Sequence, residues 1–249
     1  MIGDREWMTL TQGKLSFKNK ITLMKTVMLP STLTFVQSKF SRSELHSDLT
    51  LSNIHIPDTA IVKEAISALE QTKSREIIQH SWRCFFWGIA IAHTKQWQFD
   101  DENFLIASLM HDVGLVDHKA EYQSCQCFTF ESALRSERLC QQHDYPKHKT
   151  QQVSDAICLH MNGYLDENDH KIAKEILLLQ QATAYDVIGT QPHLITQRYY
   201  SEILAHYPKD HFKTHFQDLI KQETQRHPNS RTALLSTLGL KLMLQRHNN

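Results

Sequence analysis

Apolar side chains recur along most of this chain at three- and four-residue intervals, and no run alternates in the way a half-buried strand requires. Ile61, Val62, Ala65, Ile66 and Leu69 repeat at helical spacing behind Asp58. A second run opens near Ser74 and carries Ile77, Ile78, Trp82, Phe85, Phe86, Ile89 and Ile91. Asp58, then Asp100 or Asp101, and later Ser230 are read as N-caps, because a short polar side chain can accept an unpaired N–H of the first turn. Further helices are expected at about 128–142, 149–162, 168–188, 196–206, 210–224 and 230–246. Only seven glycines and six prolines punctuate 249 residues. The pattern predicts one all-α domain of stacked, short-looped helices over residues 53–249. Residues 1–52, rich in Thr, Ser and Lys and weakly periodic, are expected to form a partly ordered N-terminal extension.

Charge and cysteine content narrow the function classes. Twenty-seven basic and 27 acidic residues cancel, so no chain-wide field draws in nucleic acid or an anionic membrane. The stretch from Ile21 to Val36 is the most apolar, but Lys25 and Pro30 interrupt it before it reaches membrane-spanning length. Five cysteines in no framework spacing read as reduced thiols, and with them a cytoplasmic location is expected. Cys125 and Cys127 lack the second pair that a soft-metal site needs.

The chemistry gathers around Asn103-Phe-Leu-Ile-Ala-Ser-Leu-Met-His-Asp-Val-Gly114. An apolar helix ends there in an imidazole and a carboxylate, and Gly114 is expected to turn the backbone away without a Cβ penalty. Where the helix gives way to a turn, His111 and Asp112 can converge on one ion. His80 lies on the preceding helix, in a stripe with Arg83 and Trp87. Asp186 follows Leu177, Leu178, Leu179, Ala182 and Ala184, where a buried carboxylate is costly unless a cation compensates it. Taken singly, His80 reads as an ordinary core or surface histidine and Asp186 as half of a salt bridge. As a set, His80, His111, Asp112 and Asp186 are two imidazoles and two carboxylates on separate helices. That donor set suits one divalent transition metal, zinc first, with iron(II) or manganese(II) as alternatives.

His80…His111-Asp112…Asp186 resembles the motif of the HD-domain metal-dependent hydrolases. Ile56-Pro-Asp-Thr-Ala, His80-Ser-Trp-Arg, Leu109-Met-His-Asp-Val-Gly114, Phe130-Glu131, Ile157-Cys-Leu-His160 and Ala184-Tyr-Asp-Val-Ile-Gly189 resemble the cyanamide hydratase group within them, over roughly residues 54–240. The resemblance implies an HD-domain-like stacked helical bundle and His80, His111, Asp112 and Asp186 as ligands of a single metal. It further implies that the metal activates water for addition to a small substrate, cyanamide or a related nitrile or amide. Asp112 then doubles as proton acceptor, and His118, His160 and Glu131 are the remaining acid–base candidates. Trp87 and Leu115 are expected to line a substrate pocket. Arg83 either meets substrate or braces a carboxylate. The alternatives are an HD-type phosphohydrolase, which would gather Lys and Arg at the site, and a non-catalytic metal-binding scaffold. A small-molecule partner is expected, without nucleic acid or membrane, and assembly into a homo-oligomer is compatible with all of this.

Overall fold

The computed structural model of the protein describes residues 1–25 and 48–240, and all regular structure among them is helical. Two N-terminal helices come first: α1 (Arg5–Thr11), and α2, which is helical from 17 to the end of the described stretch at 25. The body is built from α3 (Ala60–Glu70), α4 (Arg75–Lys95), α5 (Asp101–Met110), the one-turn α6 (Val113–Val116), α7 (Phe128–Gln142), α8 (Lys147–Leu159) and α9 (Lys174–Ile188). α10 (Gln197–His206), α11 (Phe212–Arg226) and α12 (Arg231–Leu235) follow, and a π-type turn over Ser236–Leu240 extends α12. The part of the last expected helix beyond 240 lies outside the described residues, as does the apolar stretch from 26 onward. Among the described residues no helix is long and apolar enough to cross a membrane.

Local chemistry explains most of the boundaries. Asp100 caps α5 by accepting from Asn103 N at 2.9 Å, and Ser230 caps α12 by accepting from Ala233 N. Asp58 is not a cap. Thr59 takes that position and accepts from Val62 N, while exposed Asp58 pairs with Lys63 at 2.9 Å. α9 starts at Lys174 rather than near 168, because Asp166 and Asp169 accept from the backbone N–H groups of Asn168 and Lys171 and hold that stretch in turns.

α4 is the axis of the molecule. It packs on α5 and α9, with α8 and α7 completing the layer and α11 lying over its N-terminal half. Phe85, Phe86, Trp87, Phe104, Leu177 and Leu178 form the centre of the core between these helices. Gly88 lets Phe104 lie against the α4 backbone, where an added Cβ would come within 2.1 Å of the ring. Gly114 has a related role, which differs from the turn expected of it. It sits inside α6 without a positive φ, and a Cβ there would stand 2.7 Å from the Phe128 carbonyl oxygen. Close approach of α6 to α7 is what requires this glycine.

The first 25 residues are tied into this body. Met8, Leu15 and Leu23 are buried. Arg5 donates to both Glu137 carboxylate oxygens, its backbone N–H donates to Asp155, and its guanidinium lies 5.0 Å from the Phe130 ring centre.

Candidate metal centre

Two histidines occupy the same local position on different helices. His111 is the C-cap of α5 and His160 the C-cap of α8, both with right-handed helical backbone angles. Each turns Nδ1 back onto the carbonyl three residues earlier: His111 to Ser108 O at 2.8 Å, His160 to Ile157 O at 2.7 Å. A carbonyl oxygen only accepts, so Nδ1 of both rings carries the proton and Nε2 presents a lone pair. His80, on α4, reaches the same state by another route. Its Nδ1 meets Asp186 Oδ2 at 2.7 Å, which also leaves Nε2 as the open nitrogen.

The three Nε2 atoms face one carboxylate. His80 and His111 Nε2 lie 3.3 Å apart. Asp112 Oδ2 is 3.3 Å from His111 Nε2 and 3.5 Å from His80 Nε2, and Asp112 Oδ1 is 3.6 Å from His160 Nε2. All four side chains are buried. Three lone pairs and an anion directed at one another, out of contact with water, repel unless a cation lies among them. A proton or a metal ion can fill that role. Burial works against an imidazolium at His111, yet Asp112 beside it raises the His111 pKa. Burial and the neighbouring His111 push the His160 imidazole down to about 3, and burial lowers His80 as well. Against its own burial, the three imidazoles hold the Asp112 carboxyl well below its ordinary value. Two overlapping buried trios, His111–Asp112–His160 and His80–Cys84–His111, could each hold a metal ion, and the nitrogens and the hard oxygen of Asp112 fit a divalent transition metal.

Asp186 lies one step behind this cluster. Its Oδ1 accepts from Arg83 Nε at 2.9 Å and Trp87 Nε1 at 2.7 Å, and its Oδ2 from Arg83 Nη2 at 2.8 Å and from His80. Lys209 Nζ adds a contact at 3.3 Å to Oδ1. Burial alone would raise the Asp186 carboxyl, but Arg83 and Lys209 hold it well below its ordinary value. The stripe His80, Arg83, Trp87 seen in the sequence is therefore the set of α4 side chains that grips Asp186. Arg83 and Trp87 are fully buried in that grip, Arg83 also donating to the Pro208 carbonyl at 2.9 Å, and Leu115 is buried in the core.

Sequence reasoning did not name Phe212, Cys84, Phe128 or Lys209 among the groups that shape the site. Phe212 of α11 stacks on His80 with ring centres 4.7 Å apart, and Cys84 Sγ lies 3.6 Å from His80 Nδ1 and 3.7 Å from Nε2. Burial raises the Cys84 thiol well above its ordinary value. Phe128 flanks His160, with ring centres 5.8 Å apart. His118 and Glu131 form a separate pair, Nδ1 to Oε2 at 3.4 Å, and the Lys119 N–H donates to the other Glu131 oxygen at 3.1 Å. Lys209 arrives from the loop after α10 and carries no sequence signal. The place of His160 did carry one, since Ile157-Cys-Leu-His160 ends an apolar helix in the manner of Ser108-Leu-Met-His111.

No family model matches the chain. It is 24% identical to cyanamide hydratase DDI2 of Saccharomyces cerevisiae (strain ATCC 204508 / S288c) over 184 residues, which is 72% of this chain and 78% of that protein. Cyanamide hydratase DDI3 of the same yeast gives the same identity over the same length. Homology at this level points to a hydratase-like enzyme.

Proposed function

We propose that the protein is a metal-dependent hydratase or hydrolase of the HD type, with its HD domain over 53–249, acting on a small neutral substrate such as cyanamide or a related nitrile or amide. The convergence of the His80, His111 and His160 Nε2 atoms on Asp112 carries this reading. Those four residues hold the metal, with zinc first among the candidates, and Asp186 orients His80 from behind. When bound, such a metal supplies Lewis acidity that makes water a nucleophile near neutral pH. The chain's own groups do the rest. Asp112 Oδ1 accepts the proton lost by the attacking water and returns it to the substrate nitrogen. The water oxygen bonds to the nitrile carbon while one C≡N π pair moves onto the nitrogen and takes that proton; from cyanamide this gives isourea, which becomes urea when its O–H proton shifts to the same nitrogen. Phe212 and Phe128 keep bulk water from the imidazoles.

Cation placement favours a small neutral substrate over a phosphate ester. Arg83 is committed to Asp186, Lys119 pairs with Asp117 at 2.7 Å, and Lys95 pairs with Glu167. None of these three is left to clamp phosphate.

The test is metal content together with turnover on one preparation never exposed to chelator. About one metal per chain and urea release from cyanamide are expected, both lost in Asp112→Ala. Metal with phosphate released from nucleotides and no urea would overturn the hydratase reading, and a metal-free chain would overturn catalysis as well.

A further inference from the structure

The charge balance of the whole chain conceals a local excess. From Gln12 to Lys25 there are four lysines, Lys14, Lys18, Lys20 and Lys25, and no Asp or Glu. The structure places this stretch on the surface with its two faces divided. Leu15 and Leu23 turn inward and are buried, the Leu15 N–H donates to the Asn229 carbonyl at 2.8 Å, and Lys20 Nζ donates to the Asn229 side chain at 2.9 Å. Phe17, Ile21 and Met24 recur four and three residues apart on the outer face of α2 and are 79%, 39% and 43% exposed. Leu10, at the end of α1, is 78% exposed beside them in sequence. Lys14, Lys18 and Lys25 are exposed and pair with no carboxylate among the described residues. The described acids on α1 and its cap are Asp4, which binds the N-terminal ammonium and the Trp7 N–H, and Glu6.

We infer that α2 is a docking face for an anionic lipid surface. An interfacial helix has an apolar face able to enter the headgroup layer and lysines able to meet lipid phosphates and carboxylates. Phe17, Ile21 and Met24 supply the first, and Lys14, Lys18 and Lys25 the second. A second copy of the chain is a poorer occupant, since a two-fold contact through this face sets lysines against lysines.

The full chain is mixed with vesicles of phosphatidylcholine alone, or of phosphatidylcholine with about one-third phosphatidylserine, and bound protein is read by sedimentation at low and high salt. Binding is expected to the phosphatidylserine vesicles only and to weaken with salt. It should fall at least about tenfold both in Phe17→Ser/Ile21→Ser/Met24→Ser and in Lys14→Glu/Lys18→Glu/Lys25→Glu. These surface variants should keep the parent's metal content and helical circular dichroism. Phe17→Trp should show a blue shift in emission on the anionic vesicles that the parent chain lacks. Absence of binding, equal binding to both vesicle types, or no such shift in the Phe17→Trp variant would overturn the inference. So would a concentration-dependent dimer abolished by the apolar variant, which would assign the face to a second copy.

Discussion

Asp186 commits both carboxylate oxygens to donors from α4 and to Lys209, so its substitution separates holding a metal from holding a ligand in place. Asp186→Asn removes the charge that neutralises buried Arg83, and stability should fall by about 3 kcal/mol, measured by urea denaturation. Zinc affinity should weaken about 10- to 100-fold, because His80 loses the partner that fixes its Nδ1 proton. His160→Ala should instead empty the site, as is expected of Asp112→Ala. If chelator competition gives the reverse order, with Asp186→Asn metal-free and His160→Ala unaffected, then Asp186 is a ligand and His160 a bystander. The sequence made His80, His111 and Asp112 legible because each sits on or ends an apolar helix. It read Asp186 as a ligand and His160 as an acid–base group of the pocket, the reverse of the roles proposed here, since a residue's type and spacing do not say which of two neighbours its oxygen or nitrogen faces.

At the scale of the helix, the start of α5 determines where His111 and Asp112 arrive. Asp100 accepts from the Asn103 N–H and pairs with Lys149 of α8 at 2.7 Å, joining the two helices that end in His111 and His160. Burial opposes the Asp100 carboxylate, but the Asn103 N–H and Lys149 prevail and hold its pKa below the ordinary 3.8. A depressed folded pKa contributes stability that is present above the unfolded value and is lost as pH falls through the folded one. Asp100→Ala should therefore cost about 1 kcal/mol at pH 7, and the difference from the parent chain should shrink below about pH 4. Denaturant midpoints at pH 7 and pH 3 read it directly, and an equal loss at both would remove the charge from the explanation. Helix existence and most helix starts were legible from apolar periodicity and cap residues, which act over a turn or two. Thr59 displaced Asp58 as the cap because the chain enters α3 one residue later. Such a choice depends on how the preceding loop approaches the body, and nothing within one turn encodes that.

For the molecule as a whole, the N-terminal residues are more than an appendage. Met8, Leu15 and Leu23 are buried, and Arg5 links α1 to α7 and α8. Burying an aliphatic side chain contributes about 1.5–3 kcal/mol, so removing residues 1–25 should lower stability by several kcal/mol and the thermal midpoint by at least about 5 °C. A truncated chain that melts with the parent would make this stretch dispensable. By itself the sequence determined an all-helical chain, the faces its helices bury, and the histidines placed where apolar helices stop. The orientation of two of the three rings is local as well, because His111 and His160 each hand Nδ1 to a carbonyl of their own last turn, but it was the structure that showed it. Only the tertiary structure decided the third ring and the meeting point. His80 is turned by Asp186, 106 residues away, and Asp186 is held in turn by Arg83, Trp87 and Lys209. Periodicity reports on neighbours a few residues apart. Which lone pairs share one buried space depends on how α4, α5, α8 and α9 pack, and on the charge that this packing leaves to be neutralised.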